Sequence, residues 1–285
     1  VPHVSITAHT RVIAIIGDPI EHSLTPRIQN VAYHDICADV VNVAFRVVPD
    51  RLEQAVRGAQ AMGYLGLMVT IPHKEAVLGL CDELRPNAQM MGAANLLQFQ
   101  PDGKIVGHSS DGFAAVKSLQ EEGVFVENSR IAILGAGGAA RSLALTFALE
   151  GAAEIKILNR TVSRAETIAA EVERLGVAAT AGPIGQNALE EVDILVNATS
   201  LGMTPDIDTT PIPQSFLRPE VAVYDIVYNP LETRLLREAC EAGAHVVDGL
   251  GMLIYTNVYA AQVCAGLEIS AGVMRQEALR ALKLK

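Results

Sequence analysis

The chain has 285 residues, of which 50% are hydrophobic, 19% charged and 4% aromatic, and 22 Lys and Arg stand against 32 Asp and Glu for a net charge of −10. So acidic a chain is repelled overall by a nucleic-acid backbone or an anionic membrane surface, which argues against both as partners. The length suits one large domain or two of ordinary size, and no apolar stretch approaches the roughly 20 residues needed to cross a bilayer.

Residues 1–10 carry two His and no basic–apolar–small-residue pattern, so no secretory signal is expected. Cys37, Cys81, Cys240 and Cys264 are far apart and form no C-x-x-C. They read as small buried apolar residues of a cytoplasmic, reducing compartment, not as a disulfide scaffold or a metal-ligand set. The first strand-like run, residues 12–16, is closed by Gly17-Asp18-Pro19. Helix-compatible spacing follows over 27–37 and 51–62, with β-branched runs at 41–48 and 67–71. A boundary falls near 107–112, ahead of a helical stretch at 113–123. Strand-like runs resume at 131–134, 155–158, 194–197 and 221–226, again separated by helical sequence. Beyond Gly249-Leu250-Gly251 the pattern is helical only, over 252–264 and 270–282, and these helices are expected to return to the first block. Strand–helix alternation of this kind predicts an α/β protein built on mostly parallel sheets.

The run 131–134 leads directly into Gly135-Ala136-Gly137-Gly138-Ala139-Ala140, a G-x-G-x-x-A pattern at a strand-to-helix turn. Gly135 allows the turn, and Gly137 lets backbone amides approach a pyrophosphate at the helix N-terminus. A tight turn also favours glycine for packing alone, but a second strand at the distance of an adenosine ribose favours a dinucleotide. That strand ends in Asn159-Arg160-Thr161, with Arg164 following. No carboxylate stands where an NAD site places one, and two guanidiniums suit a 2′-phosphate, so the expected cofactor is NADP; a solvated helix start is the alternative for these arginines.

Three polar clusters interrupt the first block. Ser23 and Thr25 precede a helix, where paired hydroxyls suit either a carboxylate ligand or helix capping. Lys74 follows Thr70-Ile71-Pro72-His73 at a strand end, either a crevice residue or a surface lysine. Asp111 follows Ser109-Ser110 at the boundary, where a turn or helix cap is the plainer role.

Segments 17–30, 66–74, 92–95, 107–112, 135–141, 197–203, 224–233 and 249–253, in this order, resemble the shikimate dehydrogenase family, including quinate/shikimate dehydrogenases and shikimate dehydrogenase-like proteins. The resemblance implies a substrate domain (1–112, completed by 252–285) and a Rossmann-type NADP domain (113–251) flanking a cleft. It implies reversible hydride transfer with a cyclic hydroxy-acid in aromatic amino acid biosynthesis, with Lys74 and Asp111 as the proton-shuttling pair. Ser23 and Thr25 match the hydroxyls that hold the substrate carboxylate, and Thr70, Asn95, Ser110 and Tyr228 match further positions of the substrate site. On the cofactor side, Thr199, Ser200, Val227, Gly249 and Met252 join the glycine turn and residues 159–164. Small molecules are the implied partners, and a monomer and a homodimer both fit.

The departures from the family pattern concern substrate choice. Met68 stands where Asn is usual and Thr256 where Gln is usual; Leu96, Ser109 and Ser110 also depart, and Cys264 occupies the place of a Trp. A thioether and a short hydroxyl cannot reproduce those amides, and an unpartnered buried hydroxyl costs about 1–3 kcal/mol. Altered substrate choice is therefore expected, with bridging water as the alternative. A quinate-type enzyme using NAD and a weakly catalytic NADP or ligand sensor are the competing readings.

Overall fold

The computed structural model describes residues 6–283; residues 1–5, on which half of the N-terminal reading rests, lie outside the described residues. The chain forms two compact units, one running to Ser110 and resuming at Ile254, the other Asp111–Leu253.

The first unit contains β1 (Arg11–Gly17), α1 (Thr25–Asp35), β2 (Val40–Arg46), α2 (Leu52–Ala61), β3 (Gly66–Val69), β4 (Glu83–Leu84), α3 (Pro86–Met91), β5 (Leu96–Phe99) and β6 (Ile105–His108). Its sheet has the order β2-β1-β3-β5-β6-β4. β1 pairs in parallel with β2 and β3, while β5 runs antiparallel between β3 and β6. Ile13, Ala14, Ile15 and Ile16 of β1 are all buried, as expected of a strand covered on both faces. One face packs Ala14, Ile16, Leu67, Val69 and Leu97 against Leu52, Val56 and Ala59 of α2. Pro26 opens α1, and Gly92 ends α3 in the left-handed conformation.

The second unit contains α4 (Asp111–Glu121), β7 (Arg130–Leu134), α5 (Gly138–Leu149), β8 (Glu154–Leu158), α6 (Val162–Arg174), β9 (Ala178–Gly182), β10 (Ile194–Asn197), β11 (Ala222–Asp225), α7 (Arg234–Glu241) and β12 (His245–Val247). Its six strands, ordered β12-β11-β10-β7-β8-β9, are all parallel. This is the dinucleotide-binding order, and the chain reverses its direction of travel across the sheet between β7 and β10. α8 (Leu250–Ala265) starts in this unit and ends in the first, where α9 (Ala271–Lys283) packs on α1.

Sequence periodicity passes over β4, β5, β6, β9 and β12. These strands have two to five residues, and β9 is made of Ala-Ala-Thr-Ala-Gly, whose small side chains carry little β-preference. The cysteine reading is corrected at two positions: Cys37 and Cys240 are exposed, while Cys81 and Cys264 are partly buried. Cys37 follows α1 at φ 54° and Cys240 lies in the last turn of α7, so helix ends rather than the core receive them. Among the described residues no helix is long and apolar enough to cross a membrane.

Candidate active site

In the first unit, the turns after β1 and β3 are tied together, because the Thr70 amide donates to the Ile16 carbonyl and the Asp18 amide to the Ile71 carbonyl, both at 3.0 Å. The carboxyl ends of parallel strands are where open α/β sheets take ligands. Lys74 lies in the turn after β3, partly buried, and its carbonyl accepts from the Ala94 amide at 2.8 Å, beside Asn95. Ser23 and Thr25 open α1, whose N-cap is Leu24 and has no side-chain cap. Ser23 Oγ accepts from the Thr25 amide at 3.3 Å, so one of the two hydroxyls also serves the local turn. Thr25 is buried and its Oγ1 accepts from Asn257 Nδ2 at 3.4 Å, on the residue next to Thr256 in α8. Met68 is buried, with its sulfur 3.9 Å from Asn42 Nδ2, which also donates to Gln29 Oε1 at 2.7 Å. The thioether thus sits against a buried amide of β2, across β1 in the same sheet.

Residues 107–110 are fixed by Asn95 and by side chains that the sequence pattern does not mark. Asn95 Oδ1 accepts from both the amide and the hydroxyl of Ser110, at 2.9 and 3.1 Å, which leaves Nδ2 as its donor end. Asn87 donates to the Ser109 carbonyl. His108 contacts the Tyr259 hydroxyl through Nδ1 at 3.2 Å and Gln98 Oε1 through Nε2 at 3.3 Å. Because Gln98 Oε1 only accepts, Nε2 carries the proton. Burial, reinforced by Arg85, lowers its pKa to about 4. Asp111, the next residue but one after Ser109, is buried at the start of α4 as the first residue of the second unit.

In the second unit, Gly135 adopts φ +112°, and a Cβ there would lie 3.0 Å from the Ala198 carbonyl oxygen. Glycine is required on both counts: backbone conformation and the close approach of residues 197–200. Gly137 is the N-cap of α5, extended and without a side-chain cap, and Gly137 and Gly138 are exposed. Their amides are presented as an anion cradle of the kind a pyrophosphate needs, with Ala136 and Ala139 flanking it. At the end of β8, Asn159 Nδ2 donates to the Thr161 carbonyl at 2.9 Å, and Arg160, Thr161 and Arg164 are exposed. Thr199 is bound through its amide and its hydroxyl to Asn197 Oδ1, at 3.0 and 2.7 Å, with Ser200 exposed beyond it. Val227 is buried, Tyr228 is partly buried with its phenol pKa raised by burial, and Gly249 and Met252 border the start of α8. The residues present therefore fit a dinucleotide phosphorylated on its adenosine ribose.

One buried carboxylate in this unit escaped sequence reading. Asp225, fully buried at the end of β11, accepts from Asn197 Nδ2 at 2.9 Å, the Val227 amide at 3.0 Å and the Thr233 hydroxyl at 2.7 Å. Burial raises its pKa to about 6, against the pull of those three donors. Its signal was an acid inside the apolar run 221–226.

Residues 15–97 match the shikimate dehydrogenase substrate binding domain, and residues 117–208 match the shikimate/quinate 5-dehydrogenase family. The shikimate dehydrogenase (NADP(+)) of Methanopyrus kandleri is 46% identical over 287 residues, covering 98% of this chain and 99% of the relative. A solved shikimate dehydrogenase in complex with NADP+ is 40% identical with a TM-score of 0.91, covering 98% of each chain. The ligand-free 5-ketofructose reductase of Gluconobacter sp. strain CHM43 is 33% identical with a TM-score of 0.89, covering 96% of this chain and all of that one.

Proposed function

The chain belongs to the shikimate dehydrogenase family, and we propose that it is an NADP-dependent oxidoreductase interconverting 3-dehydroshikimate and shikimate. The observation that carries this reading is near full-length similarity to an NADP-dependent shikimate dehydrogenase in a chain that keeps Lys74 and Asp111. The unit running to Ser110 and resuming at Ile254 is assigned to the substrate and Asp111–Leu253 to the cofactor. Ser23 and Thr25 hold the substrate carboxylate with their hydroxyls, and Tyr228 adds a further contact. Thr70 and Asn95 engage the ring hydroxyls, with Asn95 aimed by Ser110. Lys74 and Asp111 take the hydroxyl proton as the alcohol is oxidised and return it as the ketone is reduced. Bound NADP exchanges the hydride. The glycine turn holds its pyrophosphate, Arg160 and Arg164 its 2′-phosphate, and residues 199–200, 227 and 249–252 border its nicotinamide half.

Steady-state turnover with NADP and NAD, each with shikimate and quinate, tests this reading, and the expected result is NADP-linked shikimate turnover. Lys74→Ala is expected to lower kcat by about 10²–10⁴-fold. Arg160→Ala is expected to raise KM for NADP while leaving KM for NAD in place. Unchanged turnover in the first variant, or equal effects on both nucleotides in the second, overturns the corresponding assignment.

A second reading, altered substrate choice with the same chemistry, is favoured by Met68. Its sulfur faces Asn42 where the family pattern has an amide, and the similarity to a 5-ketofructose reductase shows that this fold accommodates another carbonyl substrate. Feeble turnover of both acids alongside tight NADP binding selects this reading.

A further inference from the structure

We propose that Asp225 is a positioning residue for the cofactor face of the second unit, an inference that rests on the NADP reading above. Asp225 and Asn197 are register partners at the carboxyl ends of the parallel strands β11 and β10. The carboxylate therefore stands at the sheet end where a dinucleotide lies. It touches neither substrate nor cofactor in this assignment and acts through what it holds.

Its Oδ1 takes the side-chain amide of Asn197 and the backbone amide of Val227. Orienting Asn197 in this way turns its Oδ1 toward Thr199, which binds it through both amide and hydroxyl. Residues 198 and 199 in turn lie against Gly135, so close that a Cβ there would meet the Ala198 oxygen at 3.0 Å and Thr199 Cγ2 at 3.1 Å. On the other side, a Cβ at Gly249 would lie 2.5 Å from the Ile226 carbonyl oxygen and 2.6 Å from that of Val227. The glycine turn, residues 197–200, residues 226–227 and the start of α8 are thus packed in series around one carboxylate. Oδ2 fixes the remaining degree of freedom through the Thr233 hydroxyl, whose oxygen also caps α7 by accepting from the Leu236 amide. A buried charge with three donors is costly to leave incomplete, so the four segments are held to one spacing.

The test compares Asp225→Ala, Asp225→Asn and Thr233→Val in the full chain, by NADPH fluorescence titration and by steady-state KM for NADP and shikimate. Asp225→Ala removes every acceptor and is expected to raise the NADPH Kd on the order of tenfold or more, with shikimate KM within about twofold of wild type. Asp225→Asn keeps Oδ1 for its two donors and lets the new Nδ2 donate to Thr233 Oγ1, so Kd is expected to return to within about threefold of wild type. Thr233→Val is expected to raise Kd by about threefold. A fall in thermal stability with unchanged Kd, failure of the Asn variant to rescue, or an equal rise in shikimate KM overturns the proposal. Where Asp225→Ala does not fold, an unchanged Kd in Thr233→Val overturns it alone. Wild-type protein that binds NADPH yet fails to oxidise shikimate overturns the proposed substrate and leaves this test standing; wild type that binds no NADPH overturns the cofactor reading, and the inference with it.

Discussion

The second unit pairs all six strands in parallel in the dinucleotide order, whereas the first interposes the antiparallel β5 between β3 and β6. Their sites differ in the same way. The proposed pyrophosphate site is made largely of backbone: a turn at φ +112°, exposed glycines at the start of α5, and loops packed too closely for a Cβ. The proposed substrate site rests on individual side chains, some of them placed by a polar partner that lies elsewhere in the sequence, such as Asn95 with Ser110 or Thr25 with Asn257. Backbone sites tolerate few changes and keep their pattern. Side-chain sites can exchange a residue such as Met68 and still leave the fold intact.

The largest expected break in this contrast is Gly135→Ala. It combines a left-handed φ with a contact at 3.0 Å to the Ala198 oxygen, and backbone strain of this kind costs about 1–3 kcal/mol before the contact is counted. NADPH affinity is expected to fall by about 100-fold, corresponding to roughly 3 kcal/mol. Binding of shikimate to the first unit, followed by calorimetry without nucleotide, is expected to persist. An alanine variant with wild-type NADPH affinity would show that side chains, not the turn, hold the nucleotide.

Acid titration is expected to sharpen the comparison, because His108 in the first unit and Asp225 in the second are buried with pKa shifts of opposite consequence. His108 has its pKa lowered by burial to about 4, so the unfolded chain takes up its proton first. Its contribution is complete above about pH 6.5 and is lost as pH falls toward 4, about 3 kcal/mol in all. Asp225 has its pKa raised by burial to about 6, so the folded chain holds the proton longer. Its contribution is complete below about pH 4 and is lost as pH rises through 6, again about 3 kcal/mol. Hydrogen exchange resolved by segment between pH 4 and 7 is the measurement. His108→Gln is expected to flatten the loss in the first unit at low pH, and Asp225→Asn the opposite slope in the second. The same sign in both units would mean that one of these groups is not buried as described.

The smallest expected effect is at the substrate side. Met68→Asn restores an amide beside Asn42, whose Oδ1 is buried without a partner. Shikimate KM is expected to fall severalfold, within the range of about 1 kcal/mol for one hydrogen bond. An unchanged KM identifies water as the present partner of the ring hydroxyl.

The alternation of β-branched and helical runs, the glycine turn and the absence of a carboxylate after residue 158 were all readable because each depends on neighbours within a few residues. β5 and β9 were not readable: Leu-Leu-Gln-Phe and Ala-Ala-Thr-Ala-Gly hold no β-branched run, so only pairing with neighbouring strands marks them as strands. The same holds for the exposure of Cys37 and Cys240, which follows from where α1 and α7 end. At the candidate site, the resemblance supplied Lys74, Asp111 and Asn95 as residues. It did not supply Asn87, His108 and Tyr259 around residues 107–110, which are separated by as many as 172 positions, counted from Asn87 to Tyr259. Asp225 is the clearest case. Its acid inside an apolar strand marks a buried charge in the sequence, yet its three donors come from Asn197, Val227 and Thr233. By itself the sequence determined the strand–helix alternation, the family and the cofactor class, because local pattern and covalent spacing carry them. Only tertiary structure decided which amides and hydroxyls meet, because a hydrogen bond depends on distance in space, and folding alone brings those residues within reach.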